Sequence, residues 1–138
     1  MDIEADILEI AALVEKAKQA QAVYEAQGSQ KTFDLACQAV AWALMKPEHN
    51  SSLSKLAVQK TGLGNAADKT RKNHNKTLGL LRDLKAVTAF GHVEDNAETG
   101  LSTYLRPKGV IAAIVPSTNP LATPVNNIIN ALKSGNAS

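Results

Sequence analysis

Aromatic side chains are nearly missing from this sequence of 138 residues: two Phe, two Tyr and one Trp make up 4% of it. Aliphatic side chains and Ala must therefore fill the core. A basic strip interleaved with aromatics, the pattern that stacks single-stranded nucleic acid, is absent. Cysteine is as scarce. The single Cys37 rules out a disulfide or a CxxC site within the chain, and its place in an apolar helical pattern predicts a small buried thiol. No apolar run approaches the ~18 residues that a membrane helix needs, and no basic start leads into an apolar segment. A cytoplasmic location with no membrane partner is the resulting expectation. His49, His74 and His92 stand apart from one another with no Cys or His at ligand spacing, so no metal centre is expected. Strong charge of either sign is lacking too: fifteen Lys and Arg against thirteen Asp and Glu give +2, which predicts no nucleic-acid partner.

What is present fits one globular unit. Apolar residues at 44% and charged residues at 20% argue against disorder. The chain is organised around Arg106 to Pro120, RPKGVIAAIVPSTNP, which holds an uninterrupted apolar run, Val110 to Val115, that ends abruptly in a Pro. Six small and β-branched residues suit a strand covered on both faces and are too few for a typical helix. The run predicts an interior strand. Ligands gather at the carboxyl ends of strands in open α/β sheets, so Pro116, Ser117, Thr118 and Asn119 occupy a candidate ligand turn.

Ile3, Ile7, Ile10 and Val14, continued weakly by Ala17 and Tyr24, predict an amphipathic helix from about Asp2 to Gln27, stopped by Gly28. Its apolar face could lie on its own body, pair with a partner helix or serve as a targeting helix. Ser29 is a candidate cap for a second helix carrying Phe33, Ala36, Cys37, Val40, Ala41 and Leu44, which ends before Pro47 and leaves Trp42 off the stripe to meet another element. Asn50 or Ser51 is expected to cap a third helix bearing Leu53, Leu56 and Ala57, terminated by Gly62.

Gly62 to Ala67 fits the G-x-G-x-x-A dinucleotide fingerprint, yet that fingerprint works only after a strand, and LSKLAVQKT reads as helix. The spacing instead predicts a C-cap glycine and Asn65 capping a fourth helix, with Asp68 three positions on. That helix is polar to Thr77 and apolar through Leu78, Leu80, Leu81 and Leu84, so its first half is expected to face solvent or an acidic surface. The bases Lys69, Arg71, Lys72, His74 and Lys76 then form a solvated face. His92, Glu94 and Asp95 suggest a polar turn, residues 97–105 a strand, and Leu121, Val125, Ile128, Ile129 and Leu132 a final helix with Gly135 past its end. The expected order is four helices, two strands and one helix.

Several blocks resemble one family: LVEKAKQAQAVYEA, KTGLG, DKTRKNH, and above all RPKGVIAAIVPSTNPLATPVNNIINALKSGNA. They are similar to the amino-terminal portion of CoA-acylating aldehyde dehydrogenases, including the aldehyde dehydrogenase half of bifunctional aldehyde-alcohol dehydrogenases. Pro116-Ser117-Thr118-Asn119-Pro120 looks like the acylating branch's form of a turn that non-acylating members write P-W-N-F-P. The resemblance implies an α/β fold, an amino-terminal fragment of the aldehyde dehydrogenase fold that is helix-rich, with a short β segment and the first strand of the dinucleotide-binding sheet. It implies that residues 1–138 are the amino-terminal part of the cofactor-binding domain: about 1–96 helical, 97–120 strands and active-site turn, 121–134 helix. The catalytic domain, with the nucleophilic Cys and the CoA pocket, would lie beyond Ser138, leaving this stretch inactive by itself.

For the whole enzyme the resemblance implies oxidation of a small-molecule aldehyde with NAD or NADP and transfer of the acyl group to coenzyme A. Asn119 would serve the oxyanion as the catalytic residue, and Ile114, Val115, Pro116, Ser117, Thr118 and Asn119 would border the cofactor. The remainder of the enzyme and further copies of it are the implied partners. The alternative expectation is a non-catalytic helical module for oligomerisation, filament assembly or shell targeting.

Overall fold

The computed structural model of the chain describes residues 3–138. Asp2, expected to open the first helix, lies outside the described residues. Four helices, α1 (Ile3–Ala26), α2 (Gln30–Met45), α3 (Pro47–Thr61) and α4 (Ala66–Leu84), precede a hairpin of β1 (Gly91–Asn96) and β2 (Leu101–Leu105), and α5 (Ala122–Lys133) follows. Helix α2 is the hub, packed on α3, α4 and α5. Its stripe buries Phe33, Cys37, Ala41 and Leu44, as the periodicity predicts. Cys37, Ala41 and Ile129 form the core, flanked by Val40, Leu81, Leu84, Val125 and Leu132. Small residues on the facing helices bring the backbones close, which is how a core almost without aromatics reaches native packing.

The scarce aromatics are concentrated where the chain closes. Phe33 is fully buried, with the Tyr24 ring 4.6 Å and the Phe90 ring 4.9 Å from it, centroid to centroid. This ring lies against Gly28 and Gly135: a Cβ built on Gly28 would meet it at 2.3 Å, and one on Gly135 at 2.6 Å. Burial, then the neighbouring Cys37 and Asp34, push the Tyr24 phenol up to about 12. Its hydroxyl donates to the Leu132 carbonyl at 3.2 Å.

Four sequence expectations are corrected. The second helix ends before Pro47 as expected, but α3 starts earlier than expected, with Pro47 at its first position, because a proline ring is already set for the first helical turn. Asn50 therefore lies inside α3, and neither it nor Ser51 caps the helix. The buried stripe of α3 is Asn50, Ser54 and Ala57, while Leu56 is exposed. The first half of α4 faces α3 instead of solvent: Lys69, Asn73 and Thr77 are buried, and Asn73 Nδ2 donates to Asn50 Oδ1 at 3.0 Å and to Ser54 Oγ at 3.2 Å. The paired Asn50, Ser54 and Asn73 side chains let two polar helix faces close on each other, with the Thr77 hydroxyl buried beside them. Trp42, expected to meet another element, stays exposed and stacks on no other ring among the described residues.

The strands differ as well. His92, Glu94 and Asp95 belong to β1, whose antiparallel register with β2 pairs Gly91 with Leu105 and Asn96 with Leu101. Ser102 at 2.6 Å and then His92 at 2.9 Å hold the Asp95 carboxyl below its usual range. Val110 to Val115 is extended but is not an interior strand among the described residues. Its one ladder contact is a parallel bridge from Val110 to Ala137, and Ile114 is 96% exposed. A strand exists only where a second strand accepts its hydrogen bonds.

Two measurements check this packing. Gly135 has φ +75° and Phe33 against its α-carbon, so Gly135→Ala should lower unfolding free energy by about 2 kcal/mol or more in urea denaturation, whereas an unchanged midpoint would contradict the junction. Cys37 is 3% exposed and burial pushes its thiol up to about 11, so its reaction with a disulfide reagent at pH 8 should be roughly a hundredfold slower than that of a free thiol and normal once the chain unfolds.

Candidate functional site

The stretch from Arg106 to Pro120 is fixed at its entry and open at its exit. Lys108 N–H and Gly109 N–H both donate to the Asn136 side-chain oxygen, at 2.6 and 2.9 Å. Gly109 has φ +116°, a conformation that permits this double approach and that few other residues adopt. Ile111 N–H then donates to the Ala137 carbonyl at 2.8 Å. Ala137 N–H in turn donates to Gln21 of α1, whose amide donates to the Gly135 carbonyl at 2.9 Å. Thus α1, the loop after α5 and the start of the extended segment are locked together through Gln21 and Asn136. Neither residue was singled out by the sequence. Gln21 is polar on a helix scanned for apolar periodicity, and the roles of both depend on contacts across more than a hundred positions for Gln21 and nearly thirty for Asn136.

Beyond Ile111 the segment runs to the candidate turn without a further ladder bond. Pro116 to Asn119 forms a β-turn closed by the Asn119 N–H donating to the Pro116 carbonyl at 3.1 Å. Ile114, Val115, Pro116, Ser117 and Thr118 are exposed in sequence, and Asn119 is half-buried at the approach to α5. Neither Ser117 nor Thr118 caps that helix, whose N-cap is Leu121 without a side-chain bond. The Asn119 carboxamide has no hydrogen-bond partner among the described residues. The turn's backbone bond fixes where the Asn119 side chain starts, and its amide keeps its donor and acceptor capacity free.

The glycine-rich turn after α3 comes to the same place for a reason other than phosphate binding. Gly62 ends α3 in the left-handed region, and Asn65 caps α4, accepting from Asp68 N–H at 2.8 Å. No strand precedes the glycines, so the dinucleotide fingerprint does not operate here. The turn and the first residues of α4 face Thr118 across a cleft of about 270 Å³ lined by Leu63, Gly64, Asn65, Asp68, Lys69, Lys72 and Thr118. Lys69, Asn73 and Thr77 recur every fourth position along the buried face of α4. Four-residue spacing in a polar run was the one signal that could have marked Lys69 as inward-facing.

Cys37 does not join this site. It packs between α2 and α5, and its thiol donates to the Ile129 carbonyl at 3.4 Å. Among the described residues no group of three or more His, Cys, Asp or Glu could hold a metal ion, and no helix is long and apolar enough to cross a membrane.

No family model matches the chain. An acylating sulfoacetaldehyde dehydrogenase of Cupriavidus necator is 54% identical over 128 residues, covering 93% of this chain and 26% of that protein. A bifunctional aldehyde-alcohol dehydrogenase of Escherichia coli is 33% identical over 132 residues, covering 96% of this chain and 14% of that one. The crystal structure of an acetylating aldehyde dehydrogenase from Geobacillus thermoglucosidasius superposes with a TM-score of 0.90 at 33% identity, over 99% of this chain and 30% of that one. By sequence and by fold this chain is a relative of the acylating aldehyde dehydrogenases, and it spans about a quarter of the length of the Cupriavidus necator enzyme.

Proposed function

We propose that residues 1–138 are the amino-terminal part of the cofactor-binding domain of a CoA-acylating, NAD(P)-dependent aldehyde dehydrogenase that converts aldehyde, coenzyme A and NAD⁺ to acyl-CoA and NADH. The observation that carries this reading is the unpartnered Asn119 amide at the end of the extended Val110–Val115 segment, within the block most similar to the acylating enzymes. Ile114 and Val115 offer an uncovered apolar wall beside it, and Ser117 and Thr118 offer free hydroxyls. These residues fit one side of a nicotinamide pocket, with no acidic group among them. The dinucleotide, when bound, accepts a hydride from the carbonyl carbon.

In this reading a cysteine thiolate outside the chain adds to the aldehyde, and the electron pair of the carbonyl moves onto oxygen. Asn119 donates its side-chain N–H to that oxyanion. Loss of hydride restores a carbonyl as a thioester, and the thiol of coenzyme A takes the acyl group and returns the cysteine. Cys37 is not that nucleophile, because its buried thiol, held near 11, is protonated at neutral pH. The chain alone is inactive in this reading. The substrate class is a short aldehyde with an anionic end, after the sulfoacetaldehyde for which the Cupriavidus necator relative is named.

The first turns of α1 support a homo-oligomeric enzyme: Ile3, Ile7, Leu8, Ile10 and Leu13 are all exposed, while further along the helix Gln21 and Tyr24 bond to Gly135 and Leu132. An apolar stripe of this length outside any core is a surface for association. Ile7→Glu with Ile10→Glu in the full-length enzyme should lower the mass found by sedimentation equilibrium; an unchanged mass would remove α1 from the interface.

The catalytic reading rests on Asn119. Asn119→Ala in the full-length enzyme should lower the acylation rate by about a hundredfold or more, the usual cost of one oxyanion donor, and should leave the KM for NAD within about twofold. A wild-type rate would sink the assignment.

A further inference from the structure

Lys69 is the least explained charge in the molecule. It is 7% exposed, yet its ammonium makes no hydrogen bond or ion pair among the described residues. The side chain leaves α4 on its buried face and runs back over the helix's first turn, where its Cε passes 3.7 Å from the position of a Cβ on Gly64. The nitrogen is not among the sealed polar atoms, so the stem is buried while the charge opens into the cleft facing Thr118. The ammonium therefore keeps its donors free for a counter-charge that enters the cleft.

The surroundings specify that counter-charge. Lys72 lines the same cleft one turn further along α4. The one acid there, Asp68, is already engaged by Arg71 at 2.7 Å and by the Asn65 amide at 2.6 Å. Two lysines thus face the cleft with no free carboxylate to neutralise them. Its volume of about 270 Å³ is below the ~300 Å³ at which drug-sized ligand sites begin, so it suits a compact anion and not a dinucleotide. Thr118, on the opposite wall, is the neighbour of Asn119.

We infer that Lys69, assisted by Lys72, is the specificity-determining cation that binds the sulfonate or carboxylate end of the substrate aldehyde while Asn119 holds its carbonyl end. This rests on the catalytic reading above, and it adds the residues that choose among aldehydes. Gly64 is part of the device: with φ +71° it carries the turn past the lysine stem without a side chain in the way.

The test compares sulfoacetaldehyde with propionaldehyde, an uncharged aldehyde of similar size, in the full-length enzyme. Lys69→Met keeps the apolar stem and removes the charge. Its kcat/KM for sulfoacetaldehyde should fall about ten- to a hundredfold, the worth of a charge-assisted hydrogen bond, and the loss for propionaldehyde should be at least about tenfold smaller. Lys69→Arg should recover part of the anionic activity, and Lys72→Met should show a weaker loss of the same selectivity. Equal losses for the two aldehydes, with the thermal midpoint lowered, would make Lys69 a structural residue and overturn the inference. A loss appearing only in the KM for coenzyme A or NAD would overturn it in favour of a phosphate of those ligands. If propionaldehyde is turned over with coenzyme A and NAD while Lys69→Met leaves sulfoacetaldehyde turnover intact, this inference fails and the catalytic reading stands; if neither aldehyde is turned over by the wild type, both fail.

Discussion

The structure depends on how closely the loop after α5 approaches the Phe33 ring. Gly135 has no side chain and a positive φ, so the chain can leave α5, pass over the ring and present Asn136 in the opposite direction. Asn136 then fixes Lys108 and Gly109, and Gln21 fixes Ala137. Each of these bonds joins segments far apart in sequence, so each closes a large loop, and loop closure is a cost that only several cooperating contacts offset. The placement of Ile114 to Asn119 follows from this junction. The segment takes its starting direction from the Asn136 contacts and the Ile111 bond, and it reaches the Pro116–Asn119 turn from there.

The second constraint is the polar seam between α3 and α4. An apolar interface of the same size would tolerate sliding of one helix along the other, because dispersion contacts are not directional. Asn50, Ser54 and Asn73 bond to one another, and Asn50 Nδ2 also donates to the Thr70 carbonyl at 2.9 Å. A shift by one residue would leave buried amides unpaired, at a cost of about 1–3 kcal/mol each. The seam therefore fixes α4 in register, and with it the turn at Gly64 and the height at which Lys69 reaches the cleft. The two walls of the candidate site are set by different means, one by the seam and the other by the Asn136 junction.

What was legible in the sequence divides along the same lines. Local signals were readable: Ser29 and Asn65 as caps, Gly62 and Gly135 as helix ends, the α2 stripe, and the turn that holds Asn119. Each depends on residues within a few positions of one another, where spacing determines geometry. The α3–α4 seam was not readable, because hydrophobic periodicity assigns polar residues to solvent, and only a partner with matching donors and acceptors reverses that assignment. Pro47 was read correctly as lying past the end of α2, but the start of α3 was placed at Asn50 or Ser51, because the proline's second role as the first residue of the next helix carries no separate signal. The hairpin was half legible. Residues 97–105 carried strand character, of which 101–105 form β2, whereas β1 is Gly-His-Val-Glu-Asp-Asn and owes its conformation to pairing with β2 and to the Asn96 side chain, which accepts from Glu98 and Thr99 N–H at 3.0 Å each.

The apolar run Val110 to Val115 is the clearest case of a signal whose meaning lies outside the chain. Its composition is that of a strand covered on both faces, yet Ile114 is almost wholly exposed and the ladder ends at Ile111. Exposed β-branched residues on an unpaired backbone are unfavourable twice over, through apolar area in water and through peptide groups with no fixed partner. Composition and environment agree only if further strands flank the run, and the chain spans about a quarter of its Cupriavidus necator relative. The same reasoning applies to Asn119 and Lys69. Each is a polar group held in place by a firm local scaffold and left without a partner, and in a folded protein that combination is stable when a ligand or a neighbouring segment completes it.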